Sequence, residues 1–238
     1  IAEATGKRCF ILIKEFQDFL LFGDDGKTCT LLNSILKEFT PEQKKLCTFI
    51  FTGSQVNAMK EIFERQGLFH RTVEHVPINP IDAKDIIDYV VKGFLVSGKV
   101  IERDLLLGVC KLFRQNIWYI NHFASICDSL SKGYIMEPVL LEALDMMISI
   151  HEPRFIATMD SLTTFQLSLL KAILEGHQKF SSTEVISKYG LNSSANVLRL
   201  KNALCKKEII TFDSMDMPIV LDPLFEYWAK KYYFEING

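Results

Sequence analysis

The sequence predicts a small parallel α/β sheet, then an all-helical unit, then a unit of three helices closed by a two-stranded hairpin. Three observations carry this. Over residues 1–80, apolar runs of strand length alternate with helical patterns. From 81 to 152 the apolar residues recur at three- and four-residue spacing only. Beyond 153, helix-start signatures precede two short β-rich runs that flank Asp213-Ser214-Met215-Asp216.

The elements follow in order. Cys9-Phe10-Ile11-Leu12-Ile13 is an unbroken apolar run, which reads as an inner strand buried on both faces. Lys14-Glu15-Phe16-Gln17-Asp18 falls at its carboxyl end, where open α/β sheets place their ligands. A helical pattern runs from Leu31 to Phe39. Thr40-Pro41-Glu42-Gln43 then starts a short helix, with a capping threonine, proline in the first turn and glutamine three positions on. Cys47 to Phe51 is a second apolar run, and Thr52-Gly53-Ser54 turns into a helix through Phe63. Val73 to Ile78 is a third, weaker strand. This β-α-β-α-β order argues for a parallel sheet with crossover helices. A chain that opens on an inner strand, with no phosphate-binding loop before it, reads as part of a larger nucleotide-binding protein.

Past Asn79-Pro80, helices are expected over 81–96, 101–115, 117–131 and 137–150, with Gly98 and Gly133 in the breaks and Pro153 at the next boundary. Thr163-Thr164-Phe165-Gln166 and Ser181-Ser182-Thr183-Glu184 read as capping boxes, and Gly190 ends the second helix. A third helix runs from Asn192-Ser193 to Lys206. The hairpin of Ile209–Phe212 and Ile219–Leu221 completes a winged-helix arrangement, and an amphipathic helix over 224–233 closes the chain. The expected domains are thus 1–80, 81–152 and 153–238.

Bulk composition narrows the function. A net charge of −2, with 48% apolar and 24% charged residues, describes a globular chain without an overall footprint for nucleic acid or anionic membrane. The six cysteines show no C-x-x-C spacing and no neighbouring histidine, so they read as reduced thiols in a cytoplasmic protein. The longest apolar windows, such as Leu105 to Leu112, are too short for a membrane span. The five histidines lie in all three units at no spacing suited to a metal or a catalytic triad.

Three groups of residues could carry chemistry. At the first strand end, Glu15 could orient a water while Lys14 stands where a magnesium-binding carboxylate would be needed; a solvated Lys–Glu pair is the competing reading. After the second strand come Thr52, Ser54 and, further on, Arg71, whose guanidinium could pair with phosphate or simply face water at a helix end. On the third helix of the last unit, Asn196, Arg199, Asn202 and Lys206 form one stripe opposite Val197, Leu200 and Leu204. Lys201 and Lys207 add charge there, and no acidic residue lies between Ser193 and Lys207. The unit from 155 to 238 nevertheless carries nine basic and nine acidic residues, which favours protein contact or intramolecular regulation over DNA.

Ile11-Leu12-Ile13-Lys14-Glu15-Phe16-Gln17 resembles the Walker B segment of P-loop ATPases, except at Lys14. Phe49-Ile50-Phe51-Thr52-Gly53-Ser54-Gln55, with Met59-Lys60-Glu61-Ile62-Phe63 behind it, is similar to the sensor-1 strand and helix of AAA+-related ATPases. The nearest branch is the archaeal-type, or signal-transduction (STAND), one. Gly67-Leu68-Phe69-His70-Arg71 matches that branch's following segment, and Asp222-Pro223-Leu224-Phe225-Glu226-Tyr227-Trp228 its closing one. The resemblance implies part of a P-loop parallel sheet, a helical lid and a winged helix, in this order. It implies ATP and Mg²⁺ in the full-length protein, with Thr52, Ser54 and Arg71 sensing nucleotide. The G-x-x-x-x-G-K-[ST] loop is absent, and Gly23-Asp24-Asp25-Gly26-Lys27-Thr28 is a poor substitute, because its glycines bracket two residues and its carboxylates repel phosphate. Asn116-Ile117-Trp118-Tyr119 stands in the lid turn without the family's proline. The expectation is a regulatory ATPase fragment that is inactive alone and able to oligomerise. The rivals are a winged-helix transcription regulator without enzymatic activity and a scaffold that retains the fold for partner binding.

Overall fold

The structure, a computed structural model, describes residues 2–22, 26–65, 68–69, 72–213 and 215–236. The chain divides into two compact units, one made of 1–77 with 205–211 and the other of 78–204 with 212–238.

The first unit begins with α1 (Ala2–Thr5) and β1 (Cys9–Ile13), followed by a 3₁₀ helix (Phe16–Phe22). Then come α2 (Lys27–Glu38), α3 (Pro41–Leu46), β2 (Cys47–Phe51), α4 (Val56–Lys60) and a π turn (Glu61–Arg65). Strands β1 and β2 pair in parallel with Cys9 opposite Cys47 and Ile13 opposite Phe51. The ladder runs on past the strand ends: Thr52 N donates to Ile13 O at 3.0 Å and Phe16 N to Thr52 O at 2.9 Å. Thr40 and Gln43 form the full capping box at α3, each side chain bonding the other's backbone N–H.

Two expectations for this unit need correction. Strand β1 is not buried on both faces. Cys9, Ile11 and Ile13 turn towards the helices, while Phe10 and Leu12 are 65% and 52% exposed, and Ile50 of β2 shares their side. Among the described residues the sheet has two strands with helices packed on one face, and Phe10, Leu12 and Ile50 on the other are exposed. No third strand forms over Val73–Ile78 either. Val73 packs on the core, but Val76 and Ile78 are exposed and Pro77 removes a ladder donor.

The core of this unit centres on Phe16, which is fully buried. Its ring lies 4.8 Å from that of Phe19, 4.7 Å from Phe51, 5.4 Å from Phe63 and 5.8 Å from Phe69, with Cys29, Leu36 and Ile62 around them. Edge-to-face and offset pairs of this kind add to the area they bury.

The second unit contains α5 (Ala83–Val96), β3 (Val100–Ile101), α6 (Arg103–Leu112), α7 (Ile117–Leu130), β4 (Tyr134–Ile135) and α8 (Glu137–Asp160). The helices match the expected periodicity, and Asn116 caps α7 by accepting from Trp118 N and Tyr119 N. The residue pairs of β3 and β4 form a small parallel bridge that the sequence did not signal. Helix α8 does not end at Pro153 but passes straight through it. An interior proline normally breaks a helix, but here the flanking residues are pinned. Glu152 accepts from Trp228 Nε1 at 3.0 Å, Arg154 donates to Asp222 at 2.7 Å, and Phe155 is buried against Phe225 and Trp228.

Next come α9 (Thr164–Leu174), α10 (Thr183–Tyr189), α11 (Ser194–Lys206), the paired strands β5 (Ile210–Phe212) and β6 (Pro218–Val220), and α12 (Pro223–Trp228) with a π turn (Ala229–Tyr233). Thr163 and Gln166 form the expected box on α9, whereas α10 is capped by Ser182 bonding Val185 N, a single cap rather than a box. Asp222 caps α12 through Leu224 N and Phe225 N. The same carboxylate accepts from Tyr119 Oη at 2.8 Å and from Arg154. Burial and the adjacent Asp222 charge push the Tyr119 phenol well above its ordinary range, so it stays a donor.

Two substitutions test these anchors. Phe16→Ala is expected to destabilise the first unit by about 3–5 kcal/mol, read as faster hydrogen exchange of the β1 and β2 amides. Asp222→Ala removes a helix cap and strands Tyr119 and Arg154, so a loss of about 2–3 kcal/mol is expected, followed through Trp228 fluorescence during denaturation.

Candidate functional site

The site lies where the two parallel strands end. Glu15 is the first residue after Lys14 leaves β1, and its backbone sits in the left-handed region at φ 49°, a conformation uncommon for residues other than glycine. Its carboxylate is bonded to the other strand end. Ser54 Oγ donates to Glu15 Oε2 at 2.6 Å, Ser54 N to the same oxygen at 3.1 Å, and Gln17 Nε2 to it at 2.6 Å. All three donors converge on Oε2, which leaves Oε1 with lone pairs for a further donor. The bonds from Ser54, and then that from Gln17, hold the Glu15 carboxyl below its usual range.

Gly53 makes the close approach possible. A Cβ there would lie 2.7 Å from Met59 Cγ and 2.5 Å from Met59 Sδ and would also collide with Gln17 Oε1. Gln17 is the residue that reading the sequence missed as a site member. It is 4% exposed, and its buried Oε1 has no hydrogen-bond partner among the described residues. Bonding to a carboxylate fixes which end of the amide is the donor. A glutamine two residues after a strand-end glutamate, directly following the core ring of Phe16, was the available signal.

The other expected residues are distributed as follows. Thr52 is exposed and contributes its backbone to the ladder between Ile13 and Phe16. Lys14 is exposed. Arg71 lies outside the described residues, as do Gly23, Asp24 and Asp25 of the poor phosphate-loop substitute, whose Lys27 and Thr28 instead open α2. Helix α4, which begins just after Ser54, gets no side-chain cap from Gln55. Within the same unit, Glu208 accepts from Asn57 N at 3.1 Å and Ala58 N at 2.8 Å, and buried Asn57 donates to Cys205 O and Ile210 O. A carboxylate at a helix start is favoured by the helix dipole.

On α11 the five contact candidates separate. Asn196 bonds Leu191 O at 3.0 Å and receives Arg199 Nη2 at 3.0 Å, so its amide is engaged locally. Lys201 is withdrawn, with its side chain 18% exposed, its ammonium over the rings of Phe212 and Phe180, and Asp216 at 3.6 Å. Arg199, Asn202 and Lys206 remain on the exposed face, and Leu198 stands among them at 62% exposure.

Residues 153–231 match the family described as a probable winged helix domain. Among solved structures, the Walker-type ATPase PABY2304 of Pyrococcus abyssi superposes with a TM-score of 0.69 at 12% identity, over 95% of this chain and 64% of that one. The ORC2 protein of Aeropyrum pernix, solved as ADPNP–ADP complexes, is also 12% identical, covering 96% of this chain and 67% of that one, at a TM-score of 0.38. No curated protein matches the chain. The fold is therefore similar to that of PABY2304, of whose length this chain spans 64%, with a winged helix in its last part.

No group of three or more histidine, cysteine, aspartate or glutamate side chains that could hold a metal occurs among the described residues. No helix among them is long and apolar enough to cross a membrane.

Ser54→Ala removes the leading cause of the depressed Glu15 pKa, so that pKa is expected to rise towards the unperturbed carboxylate value, as measured by NMR titration of the side-chain carboxyl. The sign for stability follows. A carboxyl whose pKa is lower folded than unfolded stabilises the fold above the unfolded pKa, and this is lost as pH falls through the folded one. The part of the acid limb that Glu15 contributes should therefore shrink in the variant and be complete at a higher pH.

Proposed function

We propose that this chain is the carboxyl-terminal part of a nucleotide-dependent regulatory switch of the AAA+-related, signal-transduction ATPase type, whose winged helix contacts a protein partner. The observation that carries the reading is the Glu15–Ser54 bond across two parallel strand ends, in a fold like that of a Walker-type ATPase. That is the edge of the sheet where ligands of open α/β proteins bind.

In this reading the terminal phosphate of ATP faces Lys14, Thr52 and Ser54, and Arg71 supplies a further cation. An ammonium, a hydroxyl and a strand-end carboxylate fit the phosphate end of a nucleotide and its attacking water. They do not fit a magnesium ion at Lys14, whose charge repels it, so no step is assigned to the metal here. The bonds to Oε2 fix Glu15 while Oε1 orients the water. Engagement of Ser54 by phosphate would compete for the hydroxyl that now bonds Glu15, and that competition is the switch. The signal passes along α4, capped by Glu208, to α11, which is continuous in sequence with Glu208. These 238 residues carry no G-x-x-x-x-G-K-[ST] loop, so in this reading the chain alone should hydrolyse no ATP above background.

Calorimetric titration of the full-length protein with ATP, with and without Mg²⁺, tests the reading. Micromolar binding that weakens about tenfold in Ser54→Ala is expected, equivalent to one charge-assisted hydrogen bond. Absence of binding by the folded protein would reduce it to a scaffold.

A further inference from the structure

The exposed face of α11 has a composition that suits one kind of partner. Ala195, Leu198, Arg199, Asn202 and Lys206 recur at three- and four-residue intervals on the side opposite buried Val197, Leu200 and Leu204. Neither Arg199 nor Lys206 has a carboxylate partner among the described residues; the guanidinium bonds only the neighbouring Asn196 amide. Between these two cations lies less than two turns of helix with no acidic side chain, and the one exposed large apolar residue of α11, Leu198, stands beside Arg199. Leucine is a poor reader of phosphate, and a duplex engaging a winged helix meets its wing as well as its third helix. Here the wing turn carries Asp213 and Asp216, the latter 82% exposed, and the lysine that pairs with Asp216, Lys201 at 3.6 Å, is itself withdrawn against Phe180 and Phe212. A single peptide segment lying along α11 need not reach the wing.

We infer that the exposed face of α11 is a docking site for an acidic, amphipathic protein segment, with carboxylates paired to Arg199 and Lys206 and an apolar side chain seated on Leu198. This rests on reading the winged helix as a partner-contact module. Opposite charges steer the encounter, and the apolar contact supplies the area that charge pairs on an exposed surface lack.

Fluorescence anisotropy of the full-length protein with a labelled Glu/Leu peptide of about 14 residues, long enough to form a helix on docking, tests it. The expected result is saturable binding that weakens at least about tenfold when every Glu is replaced by Gln, and equally in Arg199→Glu/Lys206→Glu. Leu198→Ser should weaken it several-fold. The same charge change on exposed lysines elsewhere, Lys92→Glu/Lys111→Glu, should leave it unaltered. Circular dichroism confirms that each variant is folded. The inference is overturned if the peptide does not bind, if both double variants lose binding equally, or if a mixed-sequence DNA duplex displaces the peptide in a manner abolished by Arg199→Glu/Lys206→Glu. ATP binding measured on the same preparation separates the two readings. Nucleotide binding without peptide binding sinks only this inference, and peptide binding without nucleotide binding sinks only the switch.

Discussion

The burial of one ring, Phe16, fixes everything at the candidate site. It is packed among four other phenylalanines drawn from the 3₁₀ helix, β2, the π turn and the turn beyond it. Glu15 and Gln17 are its immediate neighbours, so the ring that cannot leave the core sets where both polar side chains stand. The left-handed backbone at Glu15 costs of order 1 kcal/mol or more, and a well-anchored aromatic next to it is what over-determines such a conformation. The parallel ladder then carries the second strand end to the right height for Ser54 to complete the site.

The second unit solves a comparable problem with a charge instead of a ring. Asp222 accepts from two backbone amides of α12, from the Tyr119 hydroxyl and from Arg154. A carboxylate with this many donors ties together α7, α8 and α12 and holds a helix together through an interior proline. Trp228 and Phe155 fill the apolar side of the same junction. Both units thus use one residue with many partners, and in both the polar groups are satisfied largely at the ends of helices or strands.

The parts legible in the sequence were those decided locally. The boxes at Thr40 and Thr163 are set by residues three apart, and both form. The strands at Cys9 and Cys47 and the helices from Ala83 onward follow from periodicity, and the winged helix from the order of its elements. What failed was decided by distant neighbours. Whether Phe10 and Leu12 are covered depends on strands and helices, not on their own run of apolar residues. Pro153 looks like the end of a helix until Glu152, Arg154 and Phe155 are each seen to be held from elsewhere. At the site, Glu15 stands out from its position after an apolar run, and Thr52 and Ser54 from the family resemblance, but the role of Gln17 arises from a bond to Glu15 and a glycine across the sheet. Lys201 read as a surface cation because nothing in its own helix reveals Phe180 and Phe212.

The parallel register of β1 has a further consequence during biosynthesis. The residue that pairs with Cys9 is Cys47, so the Cys-Phe-Ile-Leu-Ile segment is made well before its partner exists. A ribosome adding about 5–20 residues per second leaves that segment unpaired for roughly 2–8 s. A helix can form as it emerges, but a parallel strand cannot. For that interval the segment is an apolar β-former with open edges, the kind of sequence that holdase chaperones shield and that self-associates when they do not. The face bearing Phe10, Leu12 and Ile50 remains uncovered even after β2 arrives, so yield of the isolated chain should be governed by this one segment more than by the stability of either unit.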